Sequence, residues 1–247
     1  MTLLLALLIG CAPKAPLDDA PDWQSTGGQE RVRAELIQAL LDQGNYREAL
    51  ILIATSRERG DDHPDLDLFQ AQALLGTGLP SEAMRLLEAY SRREPRDPRA
   101  FRSLGLLHAD AQRLPEAEAS FRRATELDDR HADTWNNLGF VILAAGRPVD
   151  AVQPLQRAVA LDGTQLRYRN NLGFALARSG RLSEALEAFL SVGSAADAHA
   201  NLALALELSG DAVSAADHYG RALEIEPEHA SAREAMTRLH PEPQESP

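Results

Sequence analysis

The sequence predicts an all-α solenoid of six stacked helical hairpins, and three observations carry that prediction. One pattern recurs at a 34-residue spacing: Trp135-x-x-Leu138-Gly139-x-x-Ile142, then Gly146, Ala151, Leu155 and Ala158. It is matched upstream by Phe101, Leu104, Gly105, Ala117, Phe121 and Ala124, and downstream by Leu172, Gly173, Leu176, Gly180, Ala185 and Phe189. Set in one register, the twentieth position of every copy is alanine: Ala49, Ala83, Ala117, Ala151, Ala185 and Ala215. The fifteenth is glycine in five copies (Gly44, Gly78, Gly146, Gly180, Gly210), with Gln112 the exception. No single unit of such a chain can bury its apolar face alone, so stability comes from stacking neighbours.

The copies span residues 30–63, 64–97, 98–131, 132–165, 166–195 and 196–229. Within each, apolar residues first recur at spacings of three and four, as in Leu138, Ile142 and Ala145, which is one face of a helix. Glycine then ends that helix, because a left-handed cap costs glycine little. The second helix opens with Pro80, Pro115 or Pro148 in three copies, where a first-turn N–H lacks a partner anyway. Alanine at the twentieth position lets the paired helices approach closely. The first copy has Ile37 where glycine or alanine is usual, as suits an end of the stack. The fifth is shorter by roughly one helical turn near Val192, Gly193, Ser194 and Ala195, which predicts a bend. Pro154 inside a second helix predicts a kink. Residues 230–240 read as a capping helix with Arg233, Glu234 and Arg238 outward, and residues 241–247 as a disordered tail.

These residues resemble the tetratricopeptide repeat, whose pattern is an early W-x2-L-G-x2-Y, a later A-x3-F and a closing proline. Pro95 and Pro227 keep that proline; Asp61, Asp129 and Gly163 replace it. The resemblance covers residues 30–229. It implies a right-handed superhelix whose first helices line a concave groove, with positions 2, 5, 6, 9, 12 and 13 of each copy facing inward or nearly so.

Before the repeats, residues 3–9 form an apolar run too short to span a bilayer but matching the apolar part of a secretory signal. No Lys or Arg precedes the run, a departure from the usual signal. Leu8-Ile9-Gly10-Cys11 resembles the bacterial lipobox, in which the cysteine is lipidated and becomes the first mature residue. Residues 1–10 are thus expected to be a lipoprotein signal peptide, and residues 11–29 a lipidated Cys11 followed by a flexible tether. Acyl chains would supply a membrane anchor. Ala12 after the cysteine, in lipoproteins similar to this one, favours the outer membrane, with the repeats facing the periplasm.

Much chemistry is excluded by composition. The 37 acidic against 25 basic residues argue against a nucleic-acid partner. Lys14 is the only lysine, which removes a P-loop, a kinase-type lysine and a lysine Schiff base from the repeats. Neither G-x-S-x-G nor H-E-x-x-H occurs, and the histidines lack metal-ligand spacing; His63, His131 and His229 close their copies and read as exposed junction residues. We therefore expect no enzyme activity, no catalytic residue, no cofactor and no metal.

The groove positions carry the functional signal. Position 6 is asparagine in the last three copies (Asn137, Asn171, Asn201), position 5 adds Asn136 and Asn170, and position 9 is apolar at Leu106, Phe140, Phe174 and Leu204. An amide donates and accepts, so a ladder of them can hold the backbone of an extended peptide; some superhelical family members use asparagines so. The competing reading is that the amides cap packing between hairpins and the apolar stripe packs on the next repeat. Arg102, Arg167 and Arg178 share this face. In family members that bind chaperone tails, basic residues and asparagine at such positions hold a terminal carboxylate; Arg102, Asn137 and Arg167 fit, whereas Leu106 and Asn171 replace that pattern's remaining asparagine and arginine.

A lipid-anchored stack of six such repeats resembles the type IV pilotins, which escort secretin subunits to the outer membrane, and the tight-adherence pilus lipoproteins, which share motifs like that of residues 170–181. The resemblance implies a protein or peptide partner in the groove, such as a secretin or pilus-assembly component. Two alternatives stay open: an envelope adaptor that recruits proteases or cell-wall hydrolases, and an intracellular scaffold if the N-terminal run is not a signal.

Overall fold

The computed structural model describes residues 25–239, so the expected signal peptide, Cys11 and the expected C-terminal tail lie outside the described residues. These form thirteen helices in sequential pairs plus a final one. They are α1 (Thr26–Asp42), α2 (Tyr46–Glu58), α3 (Leu66–Gly76), α4 (Pro80–Arg93), α5 (Pro98–Asp110), α6 (Leu114–Leu127) and α7 (Ala132–Ala144). There follow α8 (Pro148–Leu161), α9 (Leu166–Arg178), α10 (Leu182–Leu190), α11 (Ala195–Leu208), α12 (Ala212–Ile225) and α13 (Ala230–Leu239). The fold is the all-α repeat solenoid that the sequence predicts. Among the described residues no helix is long and apolar enough to cross a membrane.

The turn inside each hairpin explains the glycine series. All five glycines at the fifteenth position have φ between 75° and 86°, and Gln112 is the one non-glycine described residue forced to positive φ, at 57°. The next residue's N–H reaches back five residues to close the cap, as in Arg113 to the His108 carbonyl at 2.8 Å and Arg181 to that of Leu176 at 2.9 Å.

Two compact units divide the chain, Met1–Ala83 and Met84–Pro247. In the first, Ile37, Leu41, Ala49, Ile53, Leu66 and Ala73 form the core. Arg33 on α1 grips Asp61 with two guanidinium nitrogens, both side chains largely buried, and that bond holds the Asp61 carboxyl below its usual range. One expectation is corrected here. Residues 26–29 are helical rather than tether, because Ser25 caps α1 by accepting the Gly28 N–H at 2.9 Å.

The second unit holds a continuous core from Ala117 to Ala235. Its first helices α5, α7, α9 and α11 neighbour one another in turn, whereas α6, α8, α10 and α12 each pack between the first helices of their own and the following hairpin or, for α12, against α13. The first helices therefore form one inner layer. Three hairpins are locked by a small residue facing a large one: a Cβ on Gly105 would fall 2.6 Å from the Phe121 ring, on Gly139 2.5 Å from Leu155 and on Gly173 2.6 Å from Phe189. The repeated alanines are fully buried.

The irregular copies resolve in physical terms. Helix α10 has nine residues where α8 and α12 have fourteen, and α11 starts at once because Ser194 and Asp197 form a reciprocal capping box. Helix α8 runs unbroken through the buried Pro154. The capping helix α13 buries Ala232 and Ala235, and Arg238 grips Glu207 at 2.8 Å while the Tyr219 hydroxyl donates to the same carboxylate at 3.0 Å. The junction histidines are not exposed. His63 and His229 are half-buried or buried and accept backbone N–H groups of the following helix start, and His131 faces the Thr134 hydroxyl at 3.2 Å.

Candidate functional site

The inner layer of the second unit carries an uncovered apolar row. Leu106 on α5, Phe140 on α7 and Leu204 on α11 occupy the same repeat position and are 50%, 54% and 38% exposed. Leucine or phenylalanine left so open on a regular face loses the free energy that its burial would contribute, about 25 cal/mol per Å², and a row of them marks a contact surface. Phe174 departs from the expectation of an exposed stripe. It is half-buried, with its ring edge-on to Phe189 at 5.3 Å between centres.

The amides divide into two kinds. Asn136 is buried, donates to Asn137 Oδ1 at 3.3 Å and accepts from Asn171 Nδ2 at 2.8 Å. It therefore ties α7 to α9 and is not a rung open to a ligand, which corrects the ladder expected at that residue. Asn170 and Asn201, by contrast, line an open cleft of about 330 Å³ with Arg167, Val192, Gly193 and Asp197.

A second cleft, of about 470 Å³, brings together Arg102, Leu106, Asn137 and Arg167, with Arg99 and Asp133 at its edge. The arginines here already have partners. Arg102 faces Asp128 at 3.5 Å and is held below its usual range by burial. Arg167 pairs with Asp133 and lies 5.1 Å over the Tyr168 ring, and the Tyr168 hydroxyl donates to Asp133 too. Burial first, then that carboxylate, pushes the Tyr168 hydroxyl above its ordinary range. A ligand carboxylate would have to compete with Asp128 and Asp133, so the arginines act as a neutralised polar rim and not as an open clamp. Arg178 is spent differently, donating to the Leu143 carbonyl at 3.4 Å.

The rim contains three residues at inward position 2 that were not picked out from the sequence: Arg99, Asp133 and Asp197. A signal for them exists. Position 2 alternates along the six copies as Arg31, Asp65, Arg99, Asp133, Arg167 and Asp197, which places opposite charges on successive first helices. The Arg167–Asp133 pair is that alternation realised between adjacent hairpins.

Stacked helical hairpins with an apolar inner row and a polar rim define a repeat scaffold for protein–protein interaction. Tetratricopeptide repeat models match residues 35–90, 70–132 and 113–165, and another matches 166–190. The chain belongs to the tetratricopeptide repeat family. Solved structures of similar fold include YrrB, described as a TPR protein with an unusual peptide-binding site, at 24% identity over 74% of this chain and 96% of that one (TM-score 0.62). PilF of Pseudomonas aeruginosa is similar at 17% identity over 85% and 97% (TM-score 0.65), and MamA of Desulfovibrio magneticus RS-1 at 24% over 68% and 98% (TM-score 0.56). No curated protein matches the chain.

Proposed function

We propose that this protein is an outer-membrane lipoprotein whose repeats hold a segment of a protein partner, and that it serves assembly of a pilus or secretin-type secretion machine. The observation that carries the binding half is the exposed row of Leu106, Phe140 and Leu204 on one inner layer. Apolar side chains of the partner cover that row, while Asn137, Asn170 and Asn201 at the clefts supply donors and acceptors for its backbone. The lipobox-like Leu8-Ile9-Gly10-Cys11 supports the anchoring half, and six repeats behind such a segment support the pilotin-like role.

Anchoring and partner are tested together in the native envelope. Palmitate should label the wild type, and Cys11→Ser should leave the precursor unprocessed or displace it from the outer membrane. Crosslinking of the lipidated form should recover a secretin or pilus-assembly subunit. Unlabelled, soluble wild-type protein would remove the anchor, and recovery of cell-wall hydrolases alone would replace the machine with the adaptor reading.

A further inference from the structure

The cleft that Asn170 and Asn201 line sits where the repeat is shortest. Helix α10 stops at Leu190, and the chain passes through Val192 and Gly193 straight into α11, so that turn borders the cleft. Both asparagines are half-buried, and among the described residues neither side chain has a hydrogen-bond partner. We propose that this cleft is a specificity pocket for an uncharged side-chain amide, a glutamine or asparagine of the partner segment, and that its rim turns charged residues away. The inference rests on the groove reading above and adds the chemistry of what enters.

Free hydrogen-bonding capacity carries the choice. Two asparagines offer four N–H donors and two carbonyl oxygens between them, more than one peptide unit of main chain consumes. They are not equivalent rungs: Asn170 is at position 5 and Asn201 at position 6, while the position-6 amide of α9, Asn171, is spent on Asn136. A ladder that would hold main chain of any sequence is interrupted here, and a local site with donors and acceptors together remains. A ligand amide answers both kinds of group at once, whereas a hydroxyl or a carbonyl leaves some unmet. Leu166, 55% exposed, and Val192 supply apolar wall for the methylene stem. The volume of about 330 Å³ is at the small end of the ligand-pocket range.

The rim sets the charge preference. Arg167 pairs with Asp133. Asp197 accepts the Ser194 N–H at 3.0 Å and its hydroxyl at 2.7 Å, and faces His229 Nε2 at 3.3 Å. Those bonds, from Ser194 first, hold the Asp197 carboxyl below its usual range, so it stays ionised. A ligand carboxylate would meet Asp197 and could win Arg167 only from Asp133; a ligand cation would meet Arg167. The layer agrees: α5, α7, α9 and α11 carry five arginines against four carboxylates, near balance in a chain with 37 acidic and 25 basic residues. Charges already paired favour an uncharged segment and penalise a charged one.

The test is selection of random peptides of about twelve residues, displayed on phage, against the full chain, followed by binding of the best synthetic peptide. Selected peptides should combine apolar residues with glutamine or asparagine and lack charged ones. Changing that amide residue to alanine, or to its isosteric acid, should weaken binding to the wild type about tenfold or more. The alanine change should cost little with Asn170→Ala/Asn201→Ala, whose helical circular-dichroism signal stays intact. Peptides that lose binding to Leu106→Ser/Phe140→Ser/Leu204→Ser yet show no amide preference would overturn the pocket and leave the groove reading standing. A library that yields no peptide held by that inner row would overturn both. The amide-to-acid comparison is made on the wild-type chain, so it decides even if a variant folds poorly.

Discussion

At the scale of single residues, the repeat is a set of steric requirements met six times. Gln112 meets one of them badly, since a side chain at φ 57° is disfavoured where glycine serves every other copy. Gln112→Gly should stabilise the protein by about 1 kcal/mol, the left-handed penalty less glycine's extra chain entropy; urea unfolding measures this, and an unchanged midpoint would count against the strain. Ala151 on α8 is fully buried against α7, whereas Ala160 near the end of the same helix is exposed. Ala151→Leu should cost about 1–3 kcal/mol by overpacking and Ala160→Leu little, so equal melting temperatures would contradict the packing described. These positions were legible in the sequence because repetition multiplies the signal. Asn136 and Phe174 were misread for a physical reason: register says which face a residue is on, but only the neighbouring helix decides whether Asn171 or Phe189 covers it.

At the scale of elements, helix existence and order were readable from period and caps, and the shortened α10 from four missing residues. The start of α1 was not, because Gly27 and Gly28 look like linker until Ser25 is seen to cap them into helix. The contact between His199 on α11 and His218 on α12, whose Nδ1 atoms share a hydrogen bond at 3.0 Å, was invisible too, since the two lie nineteen residues apart and in no motif. It sets a pH dependence for the last hairpin. Both rings have folded values below the ordinary 6.5, so the unfolded chain binds more protons as acid is added. Their contribution to stability is therefore whole above about pH 6.5 and is lost as pH falls through the lowered folded values. Thermal melts should show the melting temperature falling below that pH, and His218→Gln should flatten the fall. A fall of the same size in the variant would assign it to other groups, such as His108, which burial also holds low.

At the scale of the molecule, the central claim is that the inner layer of α5, α7 and α11 is where a partner binds. The sequence located that layer through its ninth repeat position but overstated its polar part, because buried amides and paired arginines are already satisfied by the fold. Phe174 is unsuitable for testing it, since truncation would also loosen the contact with Phe189. The outer helices supply a control: Val149 and Val213 are 70% and 84% exposed, more open than any residue of the inner row. The direct measurement is partner capture from cell envelopes by the full-length chain, compared between Leu106→Ser/Phe140→Ser/Leu204→Ser and Val149→Ser/Val213→Ser. The account predicts that the inner triple variant keeps its helical signal and loses the wild-type partner, while the outer pair retains it; an inner variant that folds and still captures the same partner would contradict it.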